Sequence, residues 1–173
     1  MIKANKKPLT LLIFCMKAAT LKTIKDELST LSAETLQQML LRLARFKAEN
    51  KELLTYLLFE SNNEAAFVEE AIREMDEQFL EIRNTSGYII RKQLRKIIKH
   101  MLKHIRYSGE PETEARLRLH FCMKMHERGL HQNRSTTIRN MYVSQRTYTE
   151  STIQKMHEDL QYEFVKELAK LEQ

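Results

Sequence analysis

Residues Ile89–Arg106 read Ile-Ile-Arg-Lys-Gln-Leu-Arg-Lys-Ile-Ile-Lys-His-Met-Leu-Lys-His-Ile-Arg, and their pattern decides the fold class. At about 100° per residue, Ile90, Leu94, Ile97, Ile98, Met101, Leu102 and Ile105 fall on one side of a helix. Lys92, Arg95, Lys96, Lys99, Lys103 and Arg106 fall on the other, in an arc roughly 100° wide, and no acid interrupts the run. Such a helix buries its aliphatic side and presents its cations to solvent or to a partner.

The flanking sequence extends this reading. Glu64–Arg83 carries a stripe of Val68, Ile72, Met75, Phe79 and Ile82. Glu69, Glu70, Glu74, Asp76, Glu77 and Glu81 share its other face with Arg73. Asn84-Thr85-Ser86-Gly87 separates this acidic helix from the basic one, a link short enough to force an antiparallel hairpin. Upstream, Ser32 caps a helix reaching Lys47, and a second helix occupies Lys51–Glu60. The apolar density of Leu53, Leu54, Tyr56, Leu57, Leu58 and Phe59 predicts burial on most sides of that second helix. Downstream, Pro111 opens a helix that Gly129 closes after Arg128. Ser135 begins a final helical stretch to Leu171, with a kink or break expected in the Thr- and Ser-rich segment Thr147–Thr152.

The expected fold is therefore all-α: a single domain over residues 23–173, of about six helices stacked as antiparallel hairpins. A compact bundle and a short α-solenoid-like stack both fit that order. The composition agrees. In 173 residues there are Gly 3 and Pro 2, too few for turn-rich β architectures, while 42% hydrophobic residues suffice for a core. Cys15 and Cys122 lie far apart and form no CxxC pair, which argues for reduced thiols and against a disulfide framework.

Residues 1–22 read as an N-terminal extension. Lys3, Lys6 and Lys7 precede the apolar run Leu9–Met16, which imitates the start of a secretory leader. The run is short, ends at Lys17 and lacks a clean small-x-small cleavage site, so translation from Met16 is the competing reading. A transmembrane span needs about 20 apolar residues, and the run is shorter than that. The expected location is cytoplasmic, with secretion through a leader at residues 1–20 as the alternative.

The formal charge of +6 permits an anionic partner without being a nucleic-acid signature in itself. Lys92, Arg95, Lys96, Lys99, Lys103 and Arg106 form the candidate anionic-partner face. It spans roughly 21 Å at 1.5 Å per residue, enough to follow several phosphates or carboxylates. Interleaved aromatics are missing, since Tyr88 and Tyr107 sit only at its ends, so an acidic protein partner is expected ahead of sequence-independent nucleic-acid binding. The competing structural reading is a solvated face, partly neutralised by helix 64–83. Docking on a membrane surface is disfavoured because a core claims the apolar arc first.

No catalytic signature appears. His100 and His104 have the four-residue spacing that can place two imidazoles on one metal, but the glutamate of a zincin motif and a third ligand are missing. His120 and His126 do not share a helix face, and His126 reads as a core histidine. Glu70 with Glu74, and Glu77 with Glu81, read as solvated carboxylates, and no Glu-x-x-His of a di-iron bundle occurs. Cys122 lies on a buried stripe, where a thiol is inert. No P-loop, dinucleotide fingerprint or nucleophile elbow is present. The expectation is a non-enzymatic protein with no cofactor and no metal.

Three phrases carry a resemblance: Phe46-Lys-Ala-Glu-Asn-Lys-Glu-Leu-Leu-Thr-Tyr-Leu-Leu-Phe-Glu60, Lys103-His-Ile-Arg-Tyr-Ser-Gly109 and His157-Glu-Asp-Leu-Gln-Tyr162. In them the chain resembles a group of uncharacterised all-helical proteins of Bacteroidetes-type bacteria. The resemblance covers about residues 24–171 and leaves out the N-terminal extension. It implies a cytoplasmic helical protein and assigns no activity, cofactor or residue role.

Overall fold

The structure, a computed structural model, describes residues 17–83 and 86–172. The apolar run Leu9–Met16, with the leader and internal start considered for it, lies outside the described residues, as do Cys15 and the Asn84-Thr85 link. Among the described residues the chain is all-helical, without strands. The described residues form eight α-helices, where about six were expected. They are α1 (Leu21–Leu28), α2 (Ala33–Phe46), α3 (Ala48–Thr55), α4 (Glu64–Leu80), α5 (Gly87–Ser108), α6 (Pro111–Glu127), α7 (Thr136–Ile153) and α8 (Glu158–Ala169).

Local chemistry sets the helix ends. The Ser32 hydroxyl accepts from the Thr35 amide at 3.2 Å, and the Asn63 side chain accepts from the Ala66 amide at 3.3 Å. Each satisfies an amide that the first helical turn leaves unpaired. Pro111 occupies the first turn of α6, and Gly109 and Gly129 take φ of 72° and 63°, the left-handed conformation that ends α5 and follows α6. Lys47 alone separates α2 from α3, with extended φ −143° and ψ 144°, so the chain turns a sharp corner there. The Asn50 amide braces it, donating to the Leu43 carbonyl at 2.9 Å.

Helix α3 continues into a π-turn over Tyr56–Glu60. The wider turn changes which side chains face inward. Tyr56 is buried, its ring tilted against Phe67 with centroids 4.7 Å apart, while Leu57, Leu58 and Phe59 are exposed. The burial expected of this segment is thus corrected: only Tyr56 is enclosed. No residue of α1, α2 or α3 is buried, and Met39, Leu40, Leu41, Leu43 and Phe46 of α2 also face outward.

The core lies in α4–α8. Helix α6 is its axis: Ala115, Leu117, Phe121, Cys122 and Met125 are fully enclosed among side chains that include Phe79, Ile97 and Ile138. Burying each large apolar side chain contributes roughly 1.5–3 kcal/mol. Cross-links fix the directions of the helices. Gln93 donates to the Glu81 carbonyl, Gln78 pairs with His100, and His104 with Glu74, so α4 and α5 run in opposite senses. Asp76 meets His120 and Glu64 meets Thr113, so α4 and α6 run the same way.

The last helical stretch divides later than expected. Thr147–Thr152 is continuous within α7, and the interruption falls at Gln154–His157. Thr149 is fully enclosed and its hydroxyl donates to the Gln145 carbonyl at 2.9 Å, which places it within the helix. His157 then caps α8.

Candidate anionic-partner surface

Helix α5 separates its two chemistries as the 3.6-residue period requires. Ile90, Leu94, Ile97, Met101 and Ile105 are buried. Lys92, Arg95, Lys96, Lys99 and Arg106 are exposed, and Lys103 is half-buried. Lys103 is withdrawn by an intramolecular partner, the Glu52 carboxylate at 3.0 Å. Glu52 also accepts from the Tyr107 hydroxyl at 2.7 Å. Those two hydrogen bonds hold the Glu52 carboxyl below the ordinary carboxylate range, and burial with the Glu52 charge pushes the Tyr107 phenol up.

Neutralisation by the acidic helix is slight. Glu70 and Glu77 are both taken by Arg73 on their own helix. Glu74 meets His104 at 3.1 Å, and Asp76 meets His120 at 2.7 Å and Lys124 at 3.5 Å. Among the described residues of the α4–α5 connection, only Glu81 reaches the basic face, at 4.0 Å from Lys96. Both groups are more than half exposed, so the contact is worth little. Among the described residues, Lys92, Arg95, Lys99 and Arg106 have no carboxylate within ion-pair distance.

Sequence reasoning missed Arg91. It sits one position outside the cationic arc, half-buried, with Nε donating to the Gly87 carbonyl at 3.1 Å. With Tyr88, Lys92 and Arg95 it lines a concavity of about 370 Å³ at the start of α5. Tyr88 is 69% exposed there. The sequence signal was present, an aromatic and three cations within eight residues, but a face assigned by periodicity alone excludes Arg91.

The histidines are engaged structurally. His100 Nδ1 lies 3.0 Å from the Gln78 amide nitrogen, and His104 Nε2 binds Glu74. Burial, then Lys103 and Lys96, lowers the His100 pKa. Both imidazoles therefore fasten α5 to α4. Among the described residues no group of three or more His, Cys, Asp or Glu is placed to hold a metal ion. His126 is half-buried and stacks on His131 with ring centroids 4.1 Å apart. Cys122 is fully enclosed, and burial pushes its thiol up to about 12, which suppresses the thiolate at neutral pH.

Two polar nodes were not legible as such. Glu64 accepts hydrogen bonds from the Tyr56 hydroxyl at 2.7 Å, from Thr113 at 2.6 Å and from Ser108. It thereby ties the start of the π-turn to α4, α5 and α6. Arg118, buried in the middle of α6, binds Glu114 at 2.8 Å and the Gln145 side chain on α7, beneath the Tyr148 ring at 4.9 Å. In each case at least one partner is distant in the chain, Ser108 and Thr113 for Glu64 and Gln145 for Arg118.

Compared with known proteins, the chain matches no family model, no curated protein and no solved structure. Among the described residues no helix is long and apolar enough to cross a membrane.

Proposed function

We propose that this is a non-enzymatic helical interaction protein, a single cytoplasmic domain of stacked helical hairpins that docks an acidic protein partner on the outer face of α5. The observation that supports it is the state of that face. Five of its six cations are exposed, and only Lys96 among those five lies within ion-pair reach of a carboxylate of the described chain. A row of uncompensated cations on a rigid, buried-backed helix favours an extended anionic surface, because the cations are held in place before binding and lose little freedom on association.

Sequence-independent binding of single-stranded nucleic acid is the second reading. The exposed Tyr88 ring beside Arg91, Lys92 and Arg95 favours it, as a stacking surface next to phosphate-binding cations. It ranks second because Tyr107, the aromatic at the other end, is half-buried and tied to Glu52. The face then offers one stacking ring over its length.

Fluorescence anisotropy separates the readings. The probes are a labelled Glu/Asp-rich 20-residue peptide and single- and double-stranded oligonucleotides, each at 50 and 300 mM salt. The proposal expects the peptide to bind at low salt, to weaken at high salt, and to lose roughly 5- to 100-fold in affinity with Lys96→Glu plus Lys99→Glu, as the loss and reversal of two exposed contacts implies. Binding that the double variant leaves unchanged would make the face merely solvated. Oligonucleotide binding without peptide binding would select the second reading.

A further inference from the structure

The corner between α2 and α3 holds a second surface, separate from the face of α5. Its geometry follows from three features already described: a one-residue turn at Lys47, the Asn50 brace, and the π-turn that swings Leu57, Leu58 and Phe59 away from the core. Between the arms lies an open groove of about 610 Å³. Leu41, Ala44, Leu54 and Leu58 form its apolar floor. Leu58 is 58% exposed and Phe59, at the same wall, 75% exposed. Leu40, Leu43 and Phe46 of α2 are exposed as well, outside the groove's lining. A contiguous patch of this kind on a folded domain marks a place where something docks.

Charge selects the occupant. Arg45, Lys47 and Lys51 line the groove, and no carboxylate does. Among the described residues none of the three has an ion-pair partner. We infer that the α2–α3 groove receives an amphipathic helix of a partner protein, its apolar stripe on the leucine floor and its acidic flanks against Arg45, Lys47 and Lys51. The lining residues Ala48 to Phe59 run roughly 16 Å along α3 and the π-turn, the length of about three turns of a guest helix. The apolar run Leu9–Met16 of this chain suits the groove less well, because Lys3, Lys6, Lys7 and Lys17 flank it with the same sign of charge. A second copy placed by a two-fold axis sets the same three cations against one another.

The test uses the full chain and a labelled 16-residue peptide with leucines at alternating three- and four-residue spacing and glutamates on the flanks. A twin with lysine for every glutamate is the control. The inference expects the acidic peptide to bind at least ~10-fold more tightly than its twin. It expects Leu58→Glu to weaken the acidic peptide at least ~10-fold, and Lys47→Glu with Lys51→Glu to invert the preference. The variants keep their helical circular dichroism, since Lys47, Lys51 and Leu58 are all exposed. Lys96→Glu with Lys99→Glu leaves peptide binding intact, which distinguishes this groove from the α5 face. Equal binding of the twins, binding that Leu58→Glu leaves unchanged, or loss with the α5 variant would overturn the inference. So would a dimer by light scattering that Leu58→Glu dissolves, which would give the groove to a second copy. Peptide binding seen only after Leu11→Glu with Leu12→Glu would give it to this chain's own N-terminus.

Discussion

Replacing Glu64 with alanine removes one acceptor from three hydroxyls at once. Tyr56 is 5% and Thr113 2% exposed, so water cannot easily replace the carboxylate for either. A buried hydroxyl left unpaired costs about 1–3 kcal/mol, whereas the half-buried Ser108 rehydrates at little cost. Removing the carboxylate also relieves its own partial desolvation, which leaves a net loss of about 2–4 kcal/mol. For a chain of this length that lowers Tm by roughly 5–15 °C. Glu64→Gln keeps one oxygen acceptor and costs about 1 kcal/mol. The pH dependence has a defined sign. Burial raises the Glu64 carboxyl, but hydrogen bonds from Ser108, Thr113 and Tyr56 outweigh it and the folded pKa lies below the ordinary carboxylate value. The stabilisation is therefore present above the unfolded pKa and is lost as pH falls through the folded one. Thermal unfolding at pH 7 and pH 3 reads both effects: the gap between wild type and Glu64→Ala should be full at pH 7 and narrow at pH 3. A gap below about 0.5 kcal/mol at pH 7, within the range of ordinary surface substitutions, would refute the node. So would a gap of the same size at both pH values.

Two further outcomes follow from the core. Arg118→Ala strands Gln145 and Glu114 in the α6–α7 interface, and the loss is about 2–4 kcal/mol because Arg118 is almost wholly buried while Glu114 is partly open to water; chemical denaturation measures it. Cys122 should resist iodoacetamide in the folded chain at pH 8 and react once urea unfolds it, as its burial and raised pKa require, with peptide mapping reading it apart from Cys15.

Where the sequence carried a periodic or capping signal, it located structure well. Helix α5 contains the whole Ile89–Arg106 stretch and runs Gly87–Ser108, because an unbroken apolar stripe and two terminal glycines leave little choice. Ser32 and Pro111 stand where their backbone chemistry placed them. The failures share a cause: they depend on packing partners that composition does not reveal. Leu57, Leu58 and Phe59 have the composition of a core helix, yet a π-turn rotates them outward. Thr149 has the composition of a breaker, yet its hydroxyl is satisfied by Gln145 inside a helix. Glu64 and Arg118 are ordinary helix residues in sequence and become nodes only through Thr113 and Gln145. The cationic face was legible residue by residue, but the withdrawal of Lys103 by Glu52 was not, since the two lie on helices far apart in the chain.

The claim that α5 holds out its cations to an acidic partner is tested most directly by nuclear magnetic resonance of the labelled full chain, titrated with the Glu/Asp-rich peptide. Lys92, Arg95, Lys96, Lys99 and Arg106 should shift progressively and saturate, while the core residue Leu94 stays in place. Shifts confined to other helices, or none at low salt, would contradict it.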